Sequence, residues 1–203
     1  MYKRQFRHKL LDHLVTSESR RAALLELVAE YATDPNRRIL ILSERRNHLT
    51  DIGEALEAVG GISYGFYWGG VKQSELEDAA TKQVVLGTYH MASEGMDVPV
   101  LNTVVLASPK SDIQQSVGRI LRRTDHPVTP TVVDFVDARI PCFARLQRVR
   151  QAFYAASGFV KEGSPNADME GGASGEAATA SAASAQPDMP QGKAPNQKGY
   201  AFR

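Results

Sequence analysis

Residues 111–123 read SDIQQSVGRILRR, and their apolar side chains recur with the spacing of an amphipathic helix. The apolar stripe consists of Ile113, Val117, Ile120 and Leu121. Ser111 followed three residues later by Gln114 is the pattern of a capping box, in which two side chains satisfy free backbone N–H groups. The sequence therefore predicts a helix that begins at Ser111.

The other side of this helix carries Gln115, Arg119 and Arg122. Two guanidinium groups about one turn apart, beside an amide, suit a phosphate site because arginine offers a planar fork of donors that stays charged. Gly118 lies in the middle of the helix, where glycine costs about 1 kcal/mol relative to alanine. That cost indicates close approach by a ligand or another backbone. A solvated basic helix face explains the same pattern equally well.

Apolar runs of strand length alternate with helical segments along the chain. The run RILILS at residues 38–43 lacks polar alternation, which is typical of a strand buried on both faces. Further strands are predicted at residues 62–67, 83–88, 103–107 and 131–136. Helices are predicted at residues 18–31, 47–59 (capped by Asn47), 74–80 and 141–157, and residues 89–101 are predicted to form a long loop. This order predicts an α/β fold with a parallel sheet of about five to six strands and helices on both faces.

Polar and basic residues follow three of the predicted strands. In parallel sheets, ligands bind beyond the carboxyl ends of the strands. Ser43, Arg45 and Arg46 follow the strand at 38–43, Thr88 ends the strand at 83–88, and Lys110 follows the strand at 103–107. We therefore expect these five side chains along one edge of the sheet.

The charge is unevenly distributed, although the formal net charge is only +1. Residues 1–46 carry ten Lys/Arg against six Asp/Glu, and residues 110–150 carry eight against four. Two basic segments that converge in space would form a face for a polyanion. The single cysteine, Cys142, excludes a disulfide framework and a Cys-rich zinc site, and no metal ligand is predicted. Without a signal peptide or an apolar run of membrane-spanning length, we expect a soluble intracellular protein with no membrane partner.

The composition divides the chain into three parts. Residues 1–16 are basic and amphipathic and form an N-terminal linker or helix, and residues 17–161 contain the predicted α/β domain. From residue 163 to the end there is no Leu, Ile or Val. Such a stretch cannot bury enough apolar surface to offset its ordering entropy, so residues 162–203 are predicted to be a disordered low-complexity tail.

Three segments together resemble the C-terminal RecA-like domain of superfamily 2 helicases. RILILSERRNHL (residues 38–49) looks like motif IV, GTYHMASEGMDVP (87–99) like motif V, and QSVGRILR (115–122) like motif VI, in the order of that family. The sequences SERRNHL, MASEGMD and QSVGRILRR most resemble those of helicases from large DNA viruses and phages that are related to the transcription-and-repair branch. The resemblance implies a viral or phage protein acting in a host cell.

The resemblance also implies roles for the residues that match its motifs. Arg119 would be an arginine finger on the γ-phosphate of ATP, Arg122 would support it, and Gln115 would help position the phosphate or the attacking water. Asp97 would contact the ribose, with Gly95 and Gly118 allowing close approach of the backbone. The nucleic-acid backbone, with DNA favoured over RNA, would be contacted by Ser43, Arg45, Arg46, Thr88 and Lys110.

One half of such an enzyme is absent from this sequence. It contains neither a Gly-x-x-x-x-Gly-Lys-Ser/Thr phosphate loop nor an Asp-Glu-x-His or Asp-Glu-Ala-Asp box. ATP and its Mg²⁺ would be held mainly by an N-terminal RecA-like domain, either in the same full-length protein or in trans, and this chain alone is predicted to be inactive. Two functions remain open: the second motor half of an ATP-dependent helicase or translocase, and a non-catalytic nucleic-acid-binding or regulatory domain.

Overall fold

A computed structural model describes residues 2–94, 96–120, 125–161 and 200–202. The strands are β1 (Ile39–Ser43), β2 (Tyr64–Tyr67), β3 (Val84–Thr88), β4 (Thr103–Leu106), β5 (Thr131–Asp134), β6 (Phe159–Lys161) and β7 (Tyr200–Phe202). The helices are α1 (Tyr2–Val15), α2 (Glu18–Ala32), α3 (Arg46–Val59), α4 (Gln73–Thr81), α5 (Tyr89–Glu94), α6 (Gln114–Ile120) and α7 (Pro141–Ala156). All strand pairs are parallel, in the order β2-β3-β1-β4-β5-β7-β6.

The core lies on both faces of the sheet. Every side chain of β1 is buried, and successive residues alternate between the two faces: Leu40 belongs to one apolar cluster and Ile41 to the other. Helices α2 and α3 cover the face of Ile41, and α4 to α7 contribute buried residues to the face of Leu40. This arrangement confirms the predicted parallel α/β architecture, and it explains the unbroken apolar runs of the central strands.

A glycine within the edge strand β2 allows a helix to pack closely on the sheet. A Cβ atom at Gly65 would lie 2.6 Å from the Cα and 2.7 Å from the Cβ of Ala79 in α4. Any side chain at position 65 would therefore push α4 away, because the backbone of Ala79 cannot move without moving the helix. Gly65 interrupts the apolar pattern of its strand in the sequence, but the close packing of α4 requires a glycine there.

A third apolar cluster attaches α1 to the rest of the domain. Leu11, Leu14 and Val15 of α1 pack with Phe143 near the start of α7. The predicted N-terminal linker or helix is therefore helical over Tyr2–Val15 and packs on the domain.

The start of α6 differs from the prediction. The first helical hydrogen bond runs from the Val117 N–H to the Ile113 carbonyl at 2.8 Å, and the helix begins at Gln114 instead of Ser111. The preceding loop is fixed by tertiary hydrogen bonds, in which the Ser108 carbonyl accepts from the Tyr89 hydroxyl and the Lys110 carbonyl from Arg150. These bonds hold the loop before α6 in place, and the capping-box pattern at Ser111 does not mark the start of the helix.

Three other boundaries were also predicted differently. Helix α3 begins at Arg46 with Arg45 as its N-cap, so Asn47 lies inside the helix. The predicted loop at residues 89–101 contains the six-residue helix α5. The strands β6 and β7 were not predicted, and β7 falls within the stretch that was expected to be disordered. The rest of that tail, at residues 162–199 and 203, lies outside the described residues.

Candidate functional site

The carboxyl ends of three neighbouring strands meet at one edge of the sheet, which we call the carboxyl edge. Ser43 and Thr88 are direct partners in the register of β1 and β3. The loop that contains Lys110 follows β4, the other neighbour of β1. The structure thus brings together the three loops that the sequence assigned to one edge.

Ser43 organises the turn between β1 and α3 from a fully buried position. Its hydroxyl is 3.0 Å from Nδ1 of His48 and accepts a hydrogen bond from the Arg45 backbone N–H at 3.1 Å. Burial, with a smaller contribution from Arg20, lowers the pKa of His48 to about 4. His48 is therefore neutral at pH 7, and the pair holds the turn that presents Arg45 and Arg46 to the surface.

The basic side chains at the carboxyl edge are held by partners in neighbouring elements. Arg45 donates from Nε to Asp12 of α1 at 2.7 Å, and Arg46 donates to the Gly69 carbonyl at 2.7 Å. Lys110 donates to Glu44 at 2.8 Å. These bonds leave Arg46 exposed and Arg45 and Lys110 half-buried, which places all three cations at the surface beyond β1 and β4.

The segment that follows β3 forms α5, and Thr88 lies at its start. The Thr88 hydroxyl accepts a hydrogen bond from the Met91 N–H at 3.4 Å, in the manner of an N-cap. Asp97 is exposed after α5, and burial, with a smaller contribution from Asp97, raises the pKa of Tyr67 at the end of β2. Gly95 lies outside the described residues.

A cleft of about 200 Å³ separates α5 from the loop and helix that follow β4. Its lining consists of Tyr89, His90, Ser93, Lys110, Asp112, Gln115 and Ser116. Gln115 is exposed, and a Cβ atom at Gly118 would meet nothing within 4 Å among the described residues. Within the described part of the chain, the face of α6 that carries positions 115 and 118 is therefore open. Arg119 belongs to α6, but its side chain lies outside the described residues, as does the whole of Arg122.

A buried ion pair fixes the loop beside this cleft. Arg150 in α7 donates to both carboxylate oxygens of Asp134 at 2.7 and 2.8 Å, and to the Lys110 carbonyl at 2.6 Å. The Tyr154 hydroxyl donates to Asp134 at 3.1 Å. Burial alone would lower the pKa of the Arg150 guanidinium, but its bonds to Asp134 keep that pKa above the ordinary value.

A second arginine fixes the same edge from the opposite face. Arg20 in α2 donates to the Ala107 carbonyl at 3.2 and 3.1 Å and to the carboxylate of Asp137 at 2.5 Å. Its guanidinium also lies 5.2 Å from the ring centre of Phe135. The β4 loop is thus held from α2 and from α7, on the two sides of the sheet.

Sequence reasoning missed these arginines and His48. One signal was available for Arg150, because it lies four residues before Tyr154 in α7, a spacing that places both on one helix face. The side-chain partners of the two arginines are 16 and 117 residues away in sequence, so periodicity alone could not pair them.

Residues 19–124 match the family described as the helicase conserved C-terminal domain. The chain belongs to this family. It is 38% identical over 151 residues to a protein of Acanthamoeba polyphaga mimivirus that is named as an ATP-dependent RNA helicase, covering 73% of this chain and 29% of the relative. It is 25% identical over 124 residues to the transcript termination protein of Fowlpox virus, covering 57% of this chain and 26% of the relative.

Two solved structures share the fold of this helicase C-terminal domain. T4 UvsW matches with a TM-score of 0.58 at 18% identity, over 73% of this chain and 35% of that structure. The C-terminal domain of the DEAD-box protein Dbp5 matches with a TM-score of 0.53 at 16% identity, over 68% and 79%. The predicted resemblance to superfamily 2 helicases, including those of large DNA viruses, is confirmed. The chain spans less than a third of the curated relatives it matches.

Among the described residues, no group of three or more His, Cys, Asp or Glu side chains could hold a metal ion. None of the helices described is long and apolar enough to cross a membrane.

Proposed function

We propose that this domain is the second motor half of an ATP-dependent helicase or translocase. In this role it contributes an arginine finger and part of the contacts to the nucleic-acid backbone. ATP is held by a phosphate-loop domain that belongs to the same full-length protein or acts in trans. The greater length of the viral relatives supports this arrangement.

The open face of α6 is the observation that carries the proposal. Position 119 lies one helical turn after position 115, so the two positions are on the same side of α6. That side borders the cleft and meets no other described part of the chain at Gly118. A phosphate group on an opposing domain fits there: Arg119 stabilises the charge on the γ-phosphate in the transition state, Arg122 supports it, and Gln115 orients the phosphate or the water.

The carboxyl edge serves as the contact with the nucleic-acid backbone. Arg45, Arg46 and Lys110 supply positive charge at the surface. Thr88 contributes to the contact from its position at the start of α5. Ser43 has no exposed surface, so it acts by holding the turn instead of by direct contact. Contacts of this kind to phosphates carry no sequence information, as a motor requires. Asp97, with Gly95, is assigned to the ribose of the nucleotide.

The test is reconstitution with a phosphate-loop domain, fused to this chain or added to it. The chain alone should show negligible ATP hydrolysis, because its sequence supplies neither a phosphate loop nor a metal-binding carboxylate pair. The reconstituted pair should hydrolyse ATP faster when single-stranded DNA or RNA is present, and the comparison of the two polymers decides which is preferred. Strand binding without any restored hydrolysis would favour the non-catalytic alternative.

A further inference from the structure

A groove of about 870 Å³ lies between α1 and the segment that begins α7. Its apolar lining includes Phe6 and Leu10 from α1 and Ile140, Pro141 and Cys142 from the other side. Arg7 and His8 also line it. Phe6 is 58% exposed, which makes it a large apolar surface at the mouth of the groove.

The charge around the groove is positive. Helix α1 carries four Lys/Arg and one Asp, and that Asp12 is paired with Arg45. Glu44 also lines the groove, and it is paired with Lys110. Both described acidic side chains at this place are therefore neutralised within the chain, whereas Arg7, His8 and Lys9 are exposed. This balance favours an anionic occupant over an apolar peptide or a second copy of this chain.

The groove continues into the carboxyl edge. Arg45 joins the two, because its Nε donates to Asp12 and its Nη2 lies 3.1 Å from Nδ1 of His8. Glu44 belongs to both surfaces, since it follows β1 directly and faces the groove. A strand that binds along Arg45 and Arg46 can therefore continue towards α1 past two acidic side chains, Asp12 and Glu44, each of which is paired with a cation.

We propose that this groove is a further binding site for single-stranded nucleic acid, in which one base stacks on Phe6 and the adjoining phosphates contact Arg7 and Lys9. An aromatic face beside a row of cations is the usual composition of single-strand sites, because every base has a face that can stack. The inference rests on the proposed nucleic-acid contact at the carboxyl edge and extends the path of the strand onto α1.

The first test is titration of the whole chain with a fluorescent single-stranded oligonucleotide. Phe6→Ala should weaken binding about ten-fold, because stacking on an aromatic side chain contributes roughly that much. Phe6→Tyr should retain the wild-type affinity. The matched control is Val149→Ala, which removes an apolar side chain that is 50% exposed on α7 but is not in the groove. An unchanged affinity in Phe6→Ala would overturn the proposal.

Stacking itself can be observed with a tryptophan at the same position. In a Trp68→Phe background, Phe6→Trp places the sole tryptophan in the groove, because the sequence contains one Trp. Its fluorescence should be quenched by an oligonucleotide and much less by an abasic strand of equal length. Equal quenching by both strands overturns the stacking. A wild-type dimer that Phe6→Ala dissociates in sedimentation also overturns it, because a second copy would then fill the groove.

The two proposals fail in different ways. If the wild-type chain binds no single strand, the nucleic-acid contact of the proposed function fails and the groove site fails with it. If the wild type binds and loses affinity on mutation of the carboxyl edge but not of Phe6, the groove site alone is wrong.

Discussion

At the scale of single residues, buried charges hold the loops of the carboxyl edge in place. The side chains of Arg150 and Asp134 are only 2% and 4% exposed, and their bonds reach the Lys110 carbonyl beside the cleft. Removing one member of a buried pair leaves the other charge without compensation, which is far more costly than losing a surface ion pair. The position of the loop before α6 therefore depends on α7.

Replacement of Arg150 by alanine tests this dependence. Because Asp134 would remain buried without its partner, the free energy of unfolding should fall by about 3–5 kcal/mol, measured by urea denaturation. Arg148→Ala, on an exposed position of the same helix, is the control and should change stability by less than about 0.5 kcal/mol. Equal stability of the two variants would contradict the account of the buried pair.

His48 makes stability depend on pH. Its folded pKa of about 4 lies below the unfolded value of 6.5, so the unfolded chain binds more protons between these values. The contribution of neutral His48 to the free energy of unfolding is thus fully present above pH 6.5. It is lost as the pH falls towards 4, by an amount on the order of 3 kcal/mol.

The measurement compares wild type with His48→Gln by urea denaturation at pH 7, 6 and 5. The wild type should lose stability relative to the variant as the pH falls, because only the wild type has the buried imidazole. Parallel pH profiles for the two proteins would show that His48 is not buried in a neutral form.

At the scale of elements, the sequence predicted most accurately the strands that depend on a local apolar pattern. The strands β1, β3 and β4 are apolar runs whose partners are equally apolar, so the pattern alone indicates a parallel sheet. The loop before α6 could not be predicted in this way, because the side chains that hold it, Tyr89 and Arg150, are distant in sequence. The same holds within the site: Ser43, Thr88 and Lys110 were placed correctly at one edge, whereas the buried residues that hold this edge were missed.

The turn between β1 and α3 gives a prediction at this scale. Replacing Arg45 and Arg46 together by alanine should reduce the dependence of strand binding on salt, because each lost phosphate contact lowers the slope of log K against log[salt] by about 0.7. The breaking of the exposed Arg45–Asp12 pair should have little effect on stability.

The matched control replaces Arg145 and Arg148, two exposed arginines of α7, in the same way. Both double variants lose the same formal charge, so a difference between their salt slopes reports on position alone. If both slopes fall equally, the carboxyl edge has no special role in contacting the strand.

At the scale of the whole molecule, this helicase C-terminal domain presents an open helix face with no phosphate loop of its own. The cleft beside α5, the open space at Gly118 and the exposed Gln115 all belong to the side of α6 that carries position 119. A second domain is therefore required to complete the site, and we propose that Arg119 acts on the nucleotide held there.

The most direct test of that claim is the turnover of Arg119→Lys in the enzyme reconstituted with a phosphate-loop domain. Lysine keeps the charge but loses the planar fork of donors, so turnover should fall by about 10²-fold or more, with little change in nucleotide affinity because the contact forms mainly in the transition state. Arg139→Lys, on an exposed loop outside the motifs, should retain full turnover. If Arg119→Lys and Arg139→Lys both hydrolyse ATP at the wild-type rate, Arg119 is not an arginine finger and α6 is only a basic surface.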